Sequence, residues 1–182
     1  MKKVALVLLA SMLLVSVLGV SAAGHMKHGL GMVTSIGTVA DATAEKAGTA
    51  QVNTTVCSVV LDAEGKILSV VWDVQQSRVS FDAAGKVTVP AAETLLTKVE
   101  KGENYGMRKA SAIGKEWFEQ IAAFEAWVVG QTLEEVLAIE TFQRDASHPN
   151  VPTSADLTGS VTITVGDYLA SLQKAVAAAT AL

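Results

Sequence analysis

The sequence predicts an α+β domain: an antiparallel β-meander sheet with helices packed on one face. Three observations carry the prediction. Alternating, β-branched runs fill residues 51–89, apolar spacing of helical period follows, and the two kinds of segment do not interleave as βαβ units would. Half of the 182 residues are apolar and 18% are charged, which excludes a disordered chain and leaves enough material for one core.

The first segment reads "MKKVALVLLASMLLVSVLGVSAAG". Lys2 and Lys3 form a basic start, Val4 to Val20 an apolar run, and small residues follow at once, as in a signal peptide cleaved after Ala22 or Ala23. An uncleaved anchor is the alternative, because the run approaches the ~18 residues of a membrane span. The small residues and the lack of a basic stop-transfer cluster favour cleavage. The expected location is therefore extracytoplasmic, secreted or associated with the cell surface. Without Lys2 and Lys3, 12 of the 14 basic residues face 18 acidic ones. That balance argues against nucleic acid, whose phosphates need clustered Lys and Arg.

Residues 24–50 are rich in Gly, Ala and Thr and are expected to form a flexible N-terminal lead, with the folded domain spanning 51–182. His25, Met26 and His28 have the chemistry of metal ligands, but a short cluster without supporting partners binds weakly, and a flexible terminus is the plainer expectation. The meander comes next. "VVLDAEGKI" at 59–67 returns as "VSFDAAGKV" at 79–87, each with a glycine, Gly65 or Gly85, suited to a turn. Four strands are expected, at 51–61, 66–74, 78–82 and 86–89, with Pro90 closing the sheet.

Helical signals follow. "AAETLLTKVEKG" predicts a short helix ending at Gly102. Trp117, Ile121, Phe124 and Val128 mark one face of a longer helix that stops at Gly130. Thr132 and Glu135 form a capping box for a third. "RDASHPNVPTSADL" is a polar loop and "SVTITV" (160–165) reads as a strand. The final helix carries its apolar face on Tyr168, Leu169, Leu172, Val176 and Ala179, with Thr164 as its expected cap.

Motifs of hydrolytic or phosphate chemistry are missing: no H-E-x-x-H, G-x-S-x-G or P-loop occurs. Glu134 and Glu135 are adjacent on a helix and point apart, which is unsuited to acid–base work. His148 lies in the Pro loop, far in sequence from His25 and His28. Cys57, the lone cysteine, sits in "VCSVVL" as a buried, inert thiol. Trp117 and Trp127 offer either core packing or an aromatic wall for a flat ligand. "ENYGMRK", with Tyr105, Arg108 and Lys109, is either a solvated basic turn or a contact for an anion.

The order of "GKILSVVWD" (65–73), "ENYGM" (103–107), the Trp-bearing helix with "GQTLEEV" (116–136) and "DLTGSVT" (156–162) resembles the extracytoplasmic FMN-binding domain family. More closely, it is similar to small exported clostridial-type relatives with a degenerate flavin-attachment motif. The resemblance implies FMN as cofactor, a flavin transferase and an extracytoplasmic redox partner, and electron transfer outside the cytoplasm. Carried over by position, Thr162 would take FMN through its phosphate, with Asp156 as the motif's acid and Gly159 and Ser160 on its Ser-Gly pair. Tyr105, Arg108 and Trp117 join them as candidate binding residues. Val161 stands where the motif has Ala, and the exchanged Gly and Ser change the available turn. Such changes tolerate reversible binding more easily than enzymatic attachment. The alternative function is a cofactor-free surface binding or structural module on the same fold.

Overall fold

Three long strands, β1 (Lys27–Ala40), β2 (Gly48–Leu61) and β3 (Ile67–Phe81), run antiparallel as a meander, and the two-residue β6 (Thr180–Ala181) extends it in the order β3-β2-β1-β6. The computed structural model describes residues 26–89 and 94–182; the expected signal peptide (1–23), His25 and Pro90 lie outside them. Helices α1 (Lys98–Lys101), α2 (Trp117–Val128), α3 (Leu133–Leu137), α4 (Ala155–Thr158) and α5 (Gly166–Ala177) complete the α+β fold, with a small hairpin of β4 (Thr141–Phe142) and β5 (Val151–Pro152).

The expected flexible lead is corrected by β1, which pairs with β2 from Lys27↔Leu61 to Ala40↔Thr49 across a bulge between Ile36 and Val39. Its glycines have a packing purpose. A Cβ on Gly29 would meet the Ala175 carbonyl oxygen at 1.9 Å, and one on Gly31 the Ser171 oxygen at 2.0 Å. The backbone of α5 thus rests directly on β1, an approach only glycine allows.

The strands expected at 66–74 and 78–82 are one, because the polar stretch Gln75–Ser77 keeps its pairing with β2. The second turn forms as expected, with Gly85 at φ 80°, but residues 86–89 return only as a bridge from Val87 to Phe81. "SVTITV" is not a strand. Val161 and Val165 are buried, and no neighbouring strand pairs with the segment. Thr164 does not cap α5 either; Val165 takes the cap position, and the Thr164 hydroxyl donates to the Pro149 carbonyl.

The core lies between the inner sheet face and helices α2 and α5. Cys57, Val59, Ile67, Val70 and Trp72 meet Trp117, Ile121, Phe124, Val128, Tyr168 and Leu172. Trp72 stacks on Phe124 with ring centroids 5.3 Å apart, and its indole N–H donates to Ser171 Oγ at 3.0 Å. The predicted face of α2 is buried at all four positions. The free edge of β3 is covered: Ile67 N–H donates to the Gln131 carbonyl, Gly130 N–H to the Ile67 carbonyl, and Trp72 N–H to the Glu125 carboxylate. An edge bonded in this way is closed to further strands.

Candidate functional site

The sheet is longer than the helices that cover it. Strands of 14 and 15 residues reach about 45 Å, whereas the 12-residue α2 and α5 reach only about 18 Å. The inner face changes character along its length to match. Cys57, Val59, Leu61, Ile67, Val70 and Trp72 are buried under the helices, while the polar Asn53, Thr55 and Gln76 line the stretch beyond them.

That stretch floors a cleft of about 350 Å³, walled by Tyr105, Met107, Trp117 and Tyr168, and by Lys98, His148, Ile163 and Asp167. Its volume is within the range of small-molecule sites. A smaller cavity of about 170 Å³ shares Met107, His148 and Ile163 with the cleft and adds Ser111, Arg144 and Thr162.

Trp117, at the start of α2, is buried and donates its indole N–H to the Tyr168 hydroxyl at 2.8 Å. Core packing and cleft wall, weighed as alternatives in the sequence, coincide in this residue. Lys98 places its Nζ 4.9 Å from the Tyr105 ring centroid and 5.2 Å from that of Trp117. Burial, reinforced by the neighbouring Lys101, pulls its pKa down to about 8, although Asp73 opposes the shift. Burial likewise raises the Tyr105 hydroxyl, with the Glu116 charge adding to it. A partly desolvated cation between two aromatic faces is the strongest electrostatic feature of the cleft. Sequence reasoning missed it, because Lys98 is 7 and 19 residues from the rings it touches.

The Tyr105 turn is held from below. Gly106, at φ 78°, reverses the chain, and the N–H groups of Met107 and Arg108 donate to the buried Glu116 carboxylate at 2.8 Å each. Burial alone would raise the Glu116 pKa; the two N–H groups and the Arg108 charge outweigh it and hold the carboxyl below its ordinary value. Arg108 itself is turned away from the cleft. It pairs with Glu103 at 2.9 Å and Glu119 at 3.0 Å, so the cation at the cleft is Lys98 and not the expected Arg108.

The stretch 156–162 is a single helical turn and its exit. Asp156 is exposed in α4, and Gly159, at φ −88°, needs no special conformation. Ser160 and Val161 both donate N–H bonds to the Leu157 carbonyl. Val161 points into the core, so its bulk does not crowd Thr162. Asp156, Gly159 and Ser160 line neither cavity described here; Thr162 lines the smaller one.

Thr162 is half-buried and tied to Gln120. Its N–H donates to Gln120 Oε1 at 2.8 Å and its hydroxyl to the same atom at 3.2 Å. Gln120 is fully buried, and its Nε2 donates onward to Ser111 Oγ and the Lys115 carbonyl. One amide therefore joins α2, the turn before it and the Thr162 segment. A polar residue between Trp117 and Ile121 on an otherwise apolar helix face was the available signal. Arg144 donates to the Thr162 carbonyl at 3.0 Å and pairs with Asp145 at 3.3 Å.

His148 is on the loop between β4 and β5, as the prolines implied, and that loop forms part of both cavity walls. Its Nδ1–H donates to the Asp145 carboxylate at 2.7 Å, the bond chiefly responsible for lowering the Asp145 pKa to about 2. His28 is elsewhere, on the outer sheet face beside Ser58. Cys57 is buried and its thiol is pushed up to about 12, chiefly by desolvation.

No protein-family model matches the chain, and no solved structure matches it. The chain is 30% identical over 126 residues to a chlorophenol reductase of Desulfitobacterium hafniense. The match covers 63% of this chain and 38% of that protein, so the chain spans well under half the length of this curated relative.

Proposed function

We propose that this chain is an exported flavin protein that holds FMN in the cleft between Lys98, Tyr105 and Trp117 and exchanges electrons with a partner outside the cytoplasm. The observation that carries the reading is the aromatic, cation-bearing cleft adjoining the cavity lined by Thr162. Tyr105, Trp117 and Tyr168 supply faces and edges for a flat ring, with Val74 and Ile163 as apolar contacts. Lys98 supplies positive charge where a reduced ring would gain negative charge. Arg144 and the Thr162 hydroxyl line the smaller cavity, where a phosphate would find a donor and an acceptor for ester formation. When bound, the flavin supplies one- and two-electron transfer; the chain binds and orients it and limits its access to water. The sequence resemblance points the same way, with a flavin transferase and an extracytoplasmic redox partner as partners. The name of the chlorophenol reductase relative is compatible with a redox role, although the match covers a minor part of that protein.

One observation favours a cofactor-free or reversibly loaded relative as the second reading. The Thr162 hydroxyl is already engaged by Gln120 and not directed into open solvent. The deciding experiment is intact mass with an absorption spectrum, on protein exported by a host that has the transferase. A mass gain of one FMN ester with yellow colour, both lost in Thr162→Ala, establishes covalent attachment. Colour without the mass gain means reversible binding, and a colourless chain that takes up no added FMN overturns the flavin reading.

A further inference from the structure

The outer face of the sheet has no helix or loop of the described residues packed across it, yet it carries several large exposed aliphatic side chains. Leu30 is 56% exposed, Met32 51%, Ile36 72% and Val71 54%, and Val52 lies between Ile36 and Ser77. We propose that this face is a homodimer interface, with a second copy of the chain packed sheet against sheet.

Register places the residues in rows across the three strands: Leu30–Ser58–Val71, Met32–Val56–Asp73 and Ile36–Val52–Ser77. Among the outward positions of 28–39, 50–60 and 69–79, Asp73 is the one Asp, Glu, Lys or Arg. Its carboxylate is turned to the sheet edge, where it accepts from the N–H of Val99 in α1. A two-fold axis through such a face brings almost no like charge together, which suits self-association and leaves little for a charged partner to recognise.

The polar groups on the face are also partly spent. Thr34 and Thr54 share a hydrogen bond at 3.2 Å, and His28 Nε2 meets Ser58 Oγ at 3.0 Å. Burying these pairs costs less than burying unpaired hydroxyls. Six rows on three strands cover about 40 by 14 Å in projection, or roughly 600 Å² per copy, from strand spacings. Two such faces bury about 1,200 Å², the lower bound of stable interfaces, before side-chain relief is added. Exposed aliphatic side chains gathered on one face in this way mark an interaction surface. Aligned packing of two sheets would inter-digitate the aliphatic rows of both copies.

Sedimentation equilibrium across the micromolar range tests the proposal, on the chain from Gly24 onward, which keeps every described residue. The expected result is a monomer–dimer equilibrium whose dissociation constant rises at least ~100-fold in Met32→Lys and Ile36→Lys, each burying an unpaired charge in the dimer. Phe142→Lys, exposed on β4, is expected to leave the equilibrium unchanged. Near-UV circular dichroism confirms that each variant is folded, and Met32→Ser provides a milder second probe. A wild-type chain that stays monomeric throughout overturns the proposal, as does a dimer that survives both lysine variants. Association seen only when residues 1–23 are present, or a monomer that instead binds lipid vesicles, overturns it as well.

Discussion

Replacing Gln120 with Leu should loosen the Thr162 segment and measurably destabilise the whole domain. Leucine has similar bulk but can neither accept from Thr162 nor donate to Ser111 and Lys115. The Thr162 N–H, bonded at 2.8 Å in the native fold, would then face an apolar side chain. An orphaned donor costs about 1–3 kcal/mol, and the lost bonds to Ser111 and Lys115 cost roughly 1 kcal/mol each. Better burial of leucine returns ~1 kcal/mol, so the net loss is about 2–4 kcal/mol. With a urea slope of about 1.5–2 kcal/mol/M, the midpoint should fall by roughly 1–3 M. Tryptophan fluorescence reports the transition through Trp72 and Trp117, both buried. Thr162→Val is the control: it removes the long hydroxyl bond but keeps the N–H bond, and should cost no more than about 1 kcal/mol. A Gln120→Leu unfolding free energy within about 0.5 kcal/mol of the wild type would refute the claim that this amide organises the site.

Two further outcomes follow from the packing and charge described above. Gly31→Ala should cost about 3 kcal/mol or more, because its methyl would sit 2.0 Å from the Ser171 oxygen on a helix backbone that cannot rotate away; thermal unfolding close to that of the wild type would mean α5 is free to shift. Lys98 should titrate near 8 in the folded protein, against its ordinary 10.5, as read by NMR of its side chain. Folding therefore releases its proton early, so its contribution to stability is present above 10.5 and is lost as pH falls through 8. Lys98→Met should remove that slope between pH 8 and 10.5; an unchanged slope would contradict the assignment.

Four of the five described helices were legible in the sequence, whereas β1 and the single turn α4, read as part of a polar loop, were not. Trp117, Ile121, Phe124 and Val128 satisfy a local period, and Thr132 with Glu135 satisfies a local cap, so each is visible within a dozen residues. β1 exists because α5 needs a surface without side chains. Gly29 and Gly31 provide it, and glycine in a strand lowers every local strand signal. Conversely, "SVTITV" has the composition of a strand and lacks a partner, since its backbone is claimed by Leu157, Gln120 and Asn150. Within the site, Tyr105 and Trp117 could be singled out as aromatics, but their convergence on Lys98 depends on α1 lying against β3. Of the two readings of the Arg108 turn, the pairing with Glu103 and Glu119, five residues before it and eleven after, fits the solvated turn.

The same geometry bears on whether the departures of residues 156–162 from the flavin-attachment pattern matter. Gly159 has an ordinary φ, and a Cβ there would meet nothing within 4 Å, so this position imposes no demand that an exchange of Gly and Ser would violate. Val161 is buried on the opposite side of the backbone from the cavity that Thr162 lines, and an alanine there would leave a void in the core. The residues that look wrong for attachment are thus explained by packing. The constraint on the proposed acceptor is the hydroxyl's bond to Gln120, which at 3.2 Å is the longer of its two ties to that amide. Releasing it leaves the 2.8 Å N–H bond to hold the segment in place. The proposed attachment at Thr162 would therefore break one long hydrogen bond and leave the shorter backbone tie to Gln120 in place.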